Sequence, residues 1–191
     1  MGGFRGVPLG SKLTALTGGR QGSIMTAKHF LRASALFRGV GDEHLRLFLP
    51  ICRQESVEKG APIFHEGEPA NFLYIVGQGR VALEMRLERP DGSVAGPTTV
   101  ASIGPGEAFS WSALVQPHIL TLSAKAVEPS ELLLIGAEAF REALGRYPDL
   151  GYLVMVNVAE LLAARLAQTR EAFVYERSWV FMQDQGREPG G

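Results

Sequence analysis

The chain has 191 residues, of which 46% are hydrophobic, 20% charged and 8% aromatic, a composition typical of a folded globular protein and unlike that of a disordered or fibrous one. Its 19 basic and 20 acidic residues give a formal net charge of -1, so the chain as a whole lacks the positive field that a sequence-independent nucleic-acid binder uses. Its single cysteine, Cys52, excludes an intramolecular disulfide and favours a reducing compartment, so we expect a cytoplasmic protein.

The two ends of the chain differ in composition from the middle. Residues 1–24 have scattered glycines, few basic side chains and no apolar core of a signal peptide, so we expect a flexible leader there. Residues 25–173 are expected to form one domain, and residues 174–191 a tail. The tail joins the apolar cluster Trp179 to Met182 to an end rich in glycine, proline and charge, and is a candidate docking point for a protein partner.

Two short helices are expected at the start of the domain. Thr26 can accept a hydrogen bond from a free amide at a helix start, and the apolar residues after it recur at helical spacing, which predicts a helix to Phe37. Asp42 is a second candidate cap, for a helix that ends between Pro50 and Arg53.

The middle of the chain, from Gln54 to Ile135, is typical of an all-β fold because glycine and proline turn signals recur every few residues. Its clearest strand is Val81 to Arg89, where large apolar residues alternate with alanine or charged ones, the pattern of a strand with one face in water. Many short strands with tight turns imply closure or doubling of the sheet. The sequence therefore predicts a mainly β fold, a double-stranded β-helix (jelly-roll) barrel with short helices before it and a long helix after it.

Helical periodicity returns after the β region. A short helix is predicted from Ala137 to Arg146 and a longer one from Asp149 to about Phe173, with Pro148 suited to its first turn. The longer helix has two apolar stripes, which consist of Leu150, Val154, Val158 and Leu161, and of Met155, Leu162, Leu166 and Phe173. One stripe can cover the barrel while the other meets the same helix of a second copy, which predicts a homodimer. The alternative is a helix buried on two sides of a monomer.

The most apolar stretch of the chain lies in this long helix. It runs from Leu150 to Ala164, is interrupted by Asn157 and Glu160, and is shorter than the roughly 20 residues of a bilayer span. We therefore expect no membrane span.

Several short sequence motifs occur in the order found in one known family. They are Gly60 to Glu68 (GAPIFHEGE), Leu73 to Val76 (LYIV), Gly79 to Val81 (GRV) and Gly104 to Glu107 (GPGE). In combination they resemble the cyclic-nucleotide-binding domain of the catabolite activator protein superfamily, over roughly residues 30–172. The resemblance implies a non-enzymatic regulatory domain that senses a cyclic nucleotide or another small ligand and signals through the long helix.

The segment from Gly106 to Ala126, called the cassette segment below, is similar to the family's phosphate-binding cassette. There, amides of a short helix and an arginine hold the cyclic phosphate, and a glutamate holds the ribose. The resemblance assigns ligand contacts to Gly106, Glu107, Ala108, Phe109, Ser110, Leu120 and Thr121. Glu107 matches the ribose-binding glutamate, and Trp111 and Leu83 are candidate pocket-lining residues. For Trp111, and for Phe109 as a further apolar lining residue, core packing is the alternative role.

One cassette position departs from the family pattern. The family's sequence Arg-Ser-Ala-x-x-x-Ala falls on Leu120 to Ala126, so Leu120 stands at the position of the phosphate-binding arginine. No arginine lies between Arg89 and Arg141. An enclosed phosphate without a paired cation loses charge-assisted hydrogen bonds and keeps its desolvation cost, so affinity for cyclic AMP is expected to be low.

Two other cations are candidates to replace the missing arginine. Lys125 is an odd number of residues from Leu120, so we expect it on the opposite face of the strand. His118 follows Pro117 in a loop, where exposure to solvent is expected.

Transcription regulators that resemble this chain continue after the long helix into a helix-turn-helix. Only residues 174–191 follow Phe173 here, which is too short for two helices, a turn and a wing. We therefore expect no direct contact with nucleic acid.

Two other functions stay open. Jelly-roll barrels include the metal-binding cupins, and His65, Glu66 and Glu68 lie close together in sequence. No His-x-His pair accompanies them, so we assign neither catalytic residues nor a metal site. The other alternative is an interaction module whose barrel has lost ligand binding.

Overall fold

The computed structural model describes residues 20–86 and 96–185. In these residues, helices precede and follow a β-sandwich along the chain. The α-helices are α1 (Arg20–Ala33), α2 (Asp42–Phe48), α3 (Ala137–Arg146) and α4 (Pro148–Gln185), and the 3₁₀ helices are Ala35–Phe37, Leu49–Ile51 and Trp111–Ala113. Helix α1 thus begins inside the last residues of the expected leader, and residues 1–19 lie outside the described part.

The first helix ends where a serine offers the backbone a local partner. Ser34 accepts a hydrogen bond from the Leu36 amide at 3.4 Å, and the chain passes there from α1 into the 3₁₀ helix Ala35–Phe37. The prediction of one helix from Thr26 to Phe37 was therefore wrong at both ends.

Helix α2 is capped by Gly41 and not by Asp42 as predicted. Gly41 has the extended backbone of an N-cap residue, and Asp42 is the first helical residue. The Asp42 carboxylate pairs with α1 instead, with 2.9 Å between Lys28 Nζ and Asp42 Oδ2 and a second contact from Arg32. Because its carboxylate links α1 to α2, it makes no cap bond.

The strands that the structure describes form two antiparallel sheets of four. They are β1 (Cys52–Val57), β2 (Pro62–Phe64), β3 (Phe72–Gln78), β4 (Val81–Met85), β5 (Thr98–Ile103), β6 (Ala108–Phe109), β7 (Ser123–Ala126) and β8 (Ser130–Gly136). One sheet has the order β1-β8-β3-β6 and the other β2-β7-β4-β5. The rings of Phe64 in β2 and Tyr74 in β3 lie 5.3 Å apart, so the sheets face each other. This confirms the predicted jelly-roll fold.

Strand β4 is shorter and drier than the alternation predicted. It ends at Met85, and residues 87–95 of the predicted strand and turn lie outside the described part. Ala82, expected on a wet face, is buried because it lies between Ser102 of β5 and Lys125 of β7. Only at Glu84 does that face become partly exposed.

A layer of helices covers the sheet that contains β3. The Phe30 ring of α1 lies over Gly77, where an added Cβ would come within 2.2 Å of the ring. Phe37, Phe48 and Phe140 pack together with ring centroids 5.0 to 6.0 Å apart. The core is therefore continuous from the barrel into the helices.

The long helix packs on this helical layer. Helix α3 has the predicted bounds, and Pro148 lies in the first turn of α4 as predicted. The predicted end of α4 near Phe173 was wrong, because the helix continues to Gln185 through residues expected to form the tail. Leu150, Val154 and Val158 are buried where α4 crosses α3 and the 3₁₀ helix Ala35–Phe37. The expectation that this stripe covers the barrel was therefore wrong, since helices lie between them.

The second stripe of α4 is exposed. Its members Met155, Leu162 and Leu166 are 43%, 42% and 71% exposed, and Tyr152, three residues before Met155 and not part of the predicted stripe, is 75% exposed. The side chains of Phe173 and of Trp179 to Met182 lie outside what the structure describes, so the contacts expected of them are not seen.

The expectation about membrane spans needs a correction. By length and composition, residues Pro148–Glu171 of α4 are apolar enough to cross a membrane, with a mean hydropathy of 1.5, because the helix is longer than the interrupted stretch suggested. In the structure this segment packs along one face on protein. Its buried Asn157 donates hydrogen bonds to the carbonyls of Leu36 and Arg38, both at 2.9 Å.

Candidate functional site

The cassette segment begins with a glycine that no other residue could replace without strain. Gly106 has a φ of +81°, and its amide donates to the Val76 carbonyl at 2.7 Å. A Cβ at this position would lie 3.2 Å from the Ala33 carbonyl oxygen at the end of α1. Gly106 therefore serves a close approach of two backbones, and its place in the fold is structural.

Glu107, expected to hold a ribose, has protein partners. Its Oε2 accepts a hydrogen bond from the Gly104 amide at 2.6 Å, which closes the turn before β6. Its Oε1 lies 3.6 Å from Nη2 of Arg165 on α4. The carboxylate thus joins the turn to the long helix, and it stands outside the short helix of the cassette segment.

The next residues extend the sheet and fill the barrel. Ala108 and Phe109 form β6 and pair with Ile75 and Tyr74 of β3. The Phe109 ring stacks on Tyr74 with centroids 5.0 Å apart and lies 6.0 Å from Phe64. Burial, with a smaller effect of the nearby Glu55 charge, raises the pKa of the Tyr74 phenol. The rings of Phe64, Tyr74 and Phe109 therefore form one aromatic group between the two sheets.

The short helix of the cassette segment is a single 3₁₀ turn, Trp111–Ala113. Ser110, the residue before it, is buried in the left-handed conformation at a φ of +70°, and its Oγ donates to the Phe72 carbonyl at 2.9 Å. Trp111 is half-buried against the core. One turn carries few free amides and a small dipole, so the turn alone offers an anion little.

Leu120, at the position of the missing arginine, is 5% exposed. Its amide donates to the Glu68 carbonyl at 2.9 Å, and its carbonyl accepts from the Gly67 amide at 2.8 Å. Thr121 after it is exposed. Leu83, a candidate lining residue, is buried opposite Ala124 of β7. An apolar side chain thus occupies the position where the resemblance places a cation.

Neither candidate substitute cation faces the barrel interior. Lys125 is half exposed and lies 3.8 Å from Glu84 on the neighbouring strand. His118, expected to be exposed, is half-buried in its loop, with Nδ1 3.3 Å from the Ser112 carbonyl. The expectation that Lys125 faces away from Leu120 agrees with this arrangement.

The three residues that suggested a metal site lie on the surface. His65, Glu66 and Glu68 are exposed, and the Glu68 carboxylate accepts a hydrogen bond from the His65 amide at 3.0 Å. In the part of the chain that the structure describes, no three His, Cys, Asp or Glu side chains converge as metal ligands would.

The structure adds residues that sequence reasoning missed. Phe64 and Tyr74 join Phe109 in the barrel, and Arg165 of α4 reaches Glu107. Tyr74 lies in a resemblance motif that gave no hint of its partner. Phe64 is in a three-residue strand too short for a periodicity signal, and Arg165 meets its partner only through the tertiary fold.

Comparison with known proteins identifies the family of this chain. The sequence profile of the cyclic nucleotide-binding domain matches residues 54–147. A solved structure described as a candidate cyclic nucleotide-binding protein from Geobacter metallireducens is 30% identical in sequence, with a TM-score of 0.61 over 73% of this chain and 97% of that one. The chain belongs to the cyclic nucleotide-binding domain family.

Two further relatives from Thermus thermophilus place this cyclic nucleotide-binding domain in the catabolite activator protein superfamily. Its cyclic AMP receptor protein is 35% identical over 139 residues, which are 72% of this chain and 60% of the receptor. Its catabolite activator protein structure is 34% identical with a TM-score of 0.57 and covers 78% of this chain. This chain therefore spans less than two thirds of the receptor, and what it shares with the receptor is a regulatory domain.

Proposed function

We propose that this domain senses a small ligand other than cyclic AMP and reports its presence through α4, as part of a homodimer in the cytoplasm. A tightly bound cyclic nucleotide is not its signal. The observation that carries the proposal is the buried Leu120 at the arginine position of the cassette segment.

The energetic argument concerns the phosphate of a cyclic nucleotide. A buried phosphate needs a paired cation, because otherwise it loses its water without gaining charge-assisted hydrogen bonds. Leu120 is apolar, and Lys125 is turned toward Glu84. An enclosed site with these residues favours a ligand of low charge, and the aromatic group of Phe64, Tyr74 and Phe109 favours an apolar or aromatic one.

We expect the contact between Glu107 and Arg165 to transmit ligand binding to α4. Glu107 precedes β6 directly, and β6 leads into the 3₁₀ turn of the cassette segment. A ligand that displaces β6 or this turn would also displace the carboxylate that Arg165 contacts at 3.6 Å. Helix α4 can thus occupy different positions in the free and occupied domain, which is the differential contact that a population shift requires.

The second copy is supported by the spacing of the exposed stripe. Positions 152, 155, 159, 162 and 166 alternate steps of three and four, the heptad pattern of a coiled-coil seam, and four of them carry large apolar side chains. They point away from the domain that buries the other stripe. A parallel pair of α4 helices would cover this face, and we favour it over membrane insertion because Asn157 and Arg165 of the same segment bond to the domain.

A thermal-shift titration tests the ligand proposal. The protein is titrated with cyclic AMP, cyclic GMP and cyclic dinucleotides, beside Leu120→Arg and the control Ile119→Arg, which adds an arginine at the exposed neighbouring position. A ligand at 100 times its Kd stabilises by about 2.7 kcal/mol, which raises Tm by roughly 5–10 °C in a domain of this size. We expect no shift for the unmodified protein and for Ile119→Arg.

The outcomes of this titration distinguish the proposed function from its alternative. A shift of the unmodified protein with any cyclic nucleotide contradicts the proposal directly and does not depend on whether Leu120→Arg folds. A shift with folded Leu120→Arg alone supports a pocket that has changed its ligand. The aromatic filling of the barrel favours a second candidate, an interaction module without a ligand, and the absence of a shift in every folded variant supports it.

A further inference from the structure

An open groove of about 560 Å³ lies outside the barrel. Its walls are the segment Pro69–Asn71, the loop Pro117–Ile119 and the first turns of α3. None of the cassette residues to which the resemblance assigns ligand contacts lines it. Its volume is within the range of roughly 300–1,000 Å³ that small-molecule sites occupy.

Backbone hydrogen bonds hold the walls of this groove in place. The Ala70 amide donates to the His118 carbonyl at 2.8 Å, and the Ala137 amide donates to the Asn71 carbonyl at 2.9 Å. The segment Pro69–Asn71 is thus bonded to the loop on one side and to the start of α3 on the other. The groove is preformed, which lowers the ordering cost of binding.

Two opposite charges line the groove without neutralising each other. Glu138 and Arg141 are three residues apart on α3, a spacing at which such side chains commonly pair. Instead, Nη1 of Arg141 donates to the Ala113 carbonyl at 2.5 Å. Among the residues that the structure describes, neither side chain forms an ion pair. Both remain available to a ligand.

We propose that this groove binds a small zwitterion, a molecule with one carboxylate, one ammonium group and a short apolar part. The carboxylate pairs with the guanidinium of Arg141, which offers several donors in a plane that matches a carboxylate. The ammonium pairs with Glu138. The apolar part lies against Pro69, Pro117 and the half-exposed Ile119.

The charges argue for a zwitterion and against a plain anion or cation. A plain anion at Arg141 would be repelled by Glu138, and a plain cation at Glu138 would be repelled by Arg141. Only a ligand with both charges gains from both residues. This inference does not rest on the proposed function, since the groove and the barrel interior have no assigned residue in common.

The test uses L-leucine and two relatives that each lack one charge. L-leucinamide lacks the carboxylate, and N-acetyl-L-leucine lacks the ammonium group. Each is titrated to 20 mM into ¹⁵N-labelled full chain, and the amide signals of Ala70, Asn71, His118, Ile119 and residues 137–141 are followed by NMR. We expect L-leucine to shift these signals and each relative to bind at least tenfold more weakly.

Variants make the result specific to the two charges. Arg141→Gln keeps a donor for the Ala113 carbonyl and should lose L-leucine binding, whereas Arg146→Gln on the exposed end of α3 should keep it. Glu138→Gln should bind N-acetyl-L-leucine better than the unmodified protein does. Equal binding of all three compounds, better binding of N-acetyl-L-leucine than of L-leucine by the unmodified protein, or no shift of groove signals overturns the proposal.

Discussion

Arg165 of the long helix meets Glu107 of the turn before β6, with 3.6 Å between Nη2 and Oε1. The same carboxylate closes its own turn by accepting the Gly104 amide at 2.6 Å. One residue of the cassette segment therefore fixes a turn and contacts α4. Glu107 therefore has a structural role in this turn and at its contact with α4.

The two contacts of Glu107 predict which variants at this site lose the most stability. Glu107→Ala loses the hydrogen bond from the Gly104 amide and the ion pair, and should cost about 1.5–3 kcal/mol. Glu107→Gln keeps an acceptor, and Arg165→Met removes only the ion pair. Because the Arg165 and Glu107 side chains are 26% and 49% exposed, each of these should cost less than about 1 kcal/mol. Urea unfolding measures all three, and equal costs for Glu107→Ala and Glu107→Gln would contradict the hydrogen-bond role.

A more exposed ion pair on the same helix provides the control. Arg38 and Glu160 lie 3.2 Å apart with both side chains mostly in solvent. Removing Glu160 as Glu160→Gln should change the free energy of unfolding by no more than a few tenths of a kcal/mol.

Asn157 is predicted to be the polar residue of α4 that contributes most to stability. Its amide donates to the carbonyls of Leu36 and Arg38 at the end of the 3₁₀ helix. Asn157→Ala should cost about 1–3 kcal/mol because the buried Leu36 carbonyl and the part-buried Arg38 carbonyl lose this donor. Asn157→Leu should be no better, although it increases hydropathy. Urea unfolding measures this cost, with the exposed Gln168→Ala as the control. An unchanged free energy of unfolding in Asn157→Ala would show that water replaces the amide.

The fold was predictable where the sequence carries a local signal. Turn residues and alternation indicated the barrel, and Pro148 with the break at Tyr147 placed α3 and α4. The predictions that failed concern contacts between residues far apart in the sequence. Asp42 could not be recognised as a partner of Lys28, because the two lie on different helices, and nothing local showed that helices separate α4 from the barrel.

The candidate site was predictable only in part, for a related reason. The Leu120 position follows from sequence motifs, and the structure places this residue in the apolar interior. The role of Glu107 does not follow from them, because a glutamate in a turn and a glutamate in a pocket have the same local sequence. Only the contacts with Gly104 and Arg165 distinguish the two.

Cys52 should be unreactive in the folded protein. Partial burial raises the pKa of its thiol from the ordinary value of 9.0 to about 12. Below pH 9 the thiol is neutral in both the folded and the unfolded state, so its contribution to stability is fully present and independent of pH. Above pH 9 the unfolded state loses this proton first, and stability should fall with pH by up to about 1.4 kcal/mol per unit until the folded thiol ionises.

Two measurements check the thiol prediction. Labelling with a thiol reagent at pH 8 should be slow without urea and fast in denaturing urea. Between pH 9 and 10.5 the free energy of unfolding of Cys52→Ser should fall less steeply than that of the unmodified protein. Rapid labelling of the folded protein would contradict the burial.

The exposed stripe of α4 should decide the oligomeric state. In sedimentation equilibrium the unmodified protein is expected to be a dimer, because an uncovered seam with Leu162 and Leu166 is more apolar than a solvated helix face allows. Leu162→Glu and Leu166→Glu should each raise the dimer dissociation constant at least tenfold, since a buried carboxylate on the seam lacks a partner. Ala164→Glu, on an exposed position off the seam, should leave it unchanged. A monomer that floats with lipid vesicles instead would assign the same stripe to a membrane surface, and a monomer that stays in the aqueous fraction would remove the dimer from the proposed function.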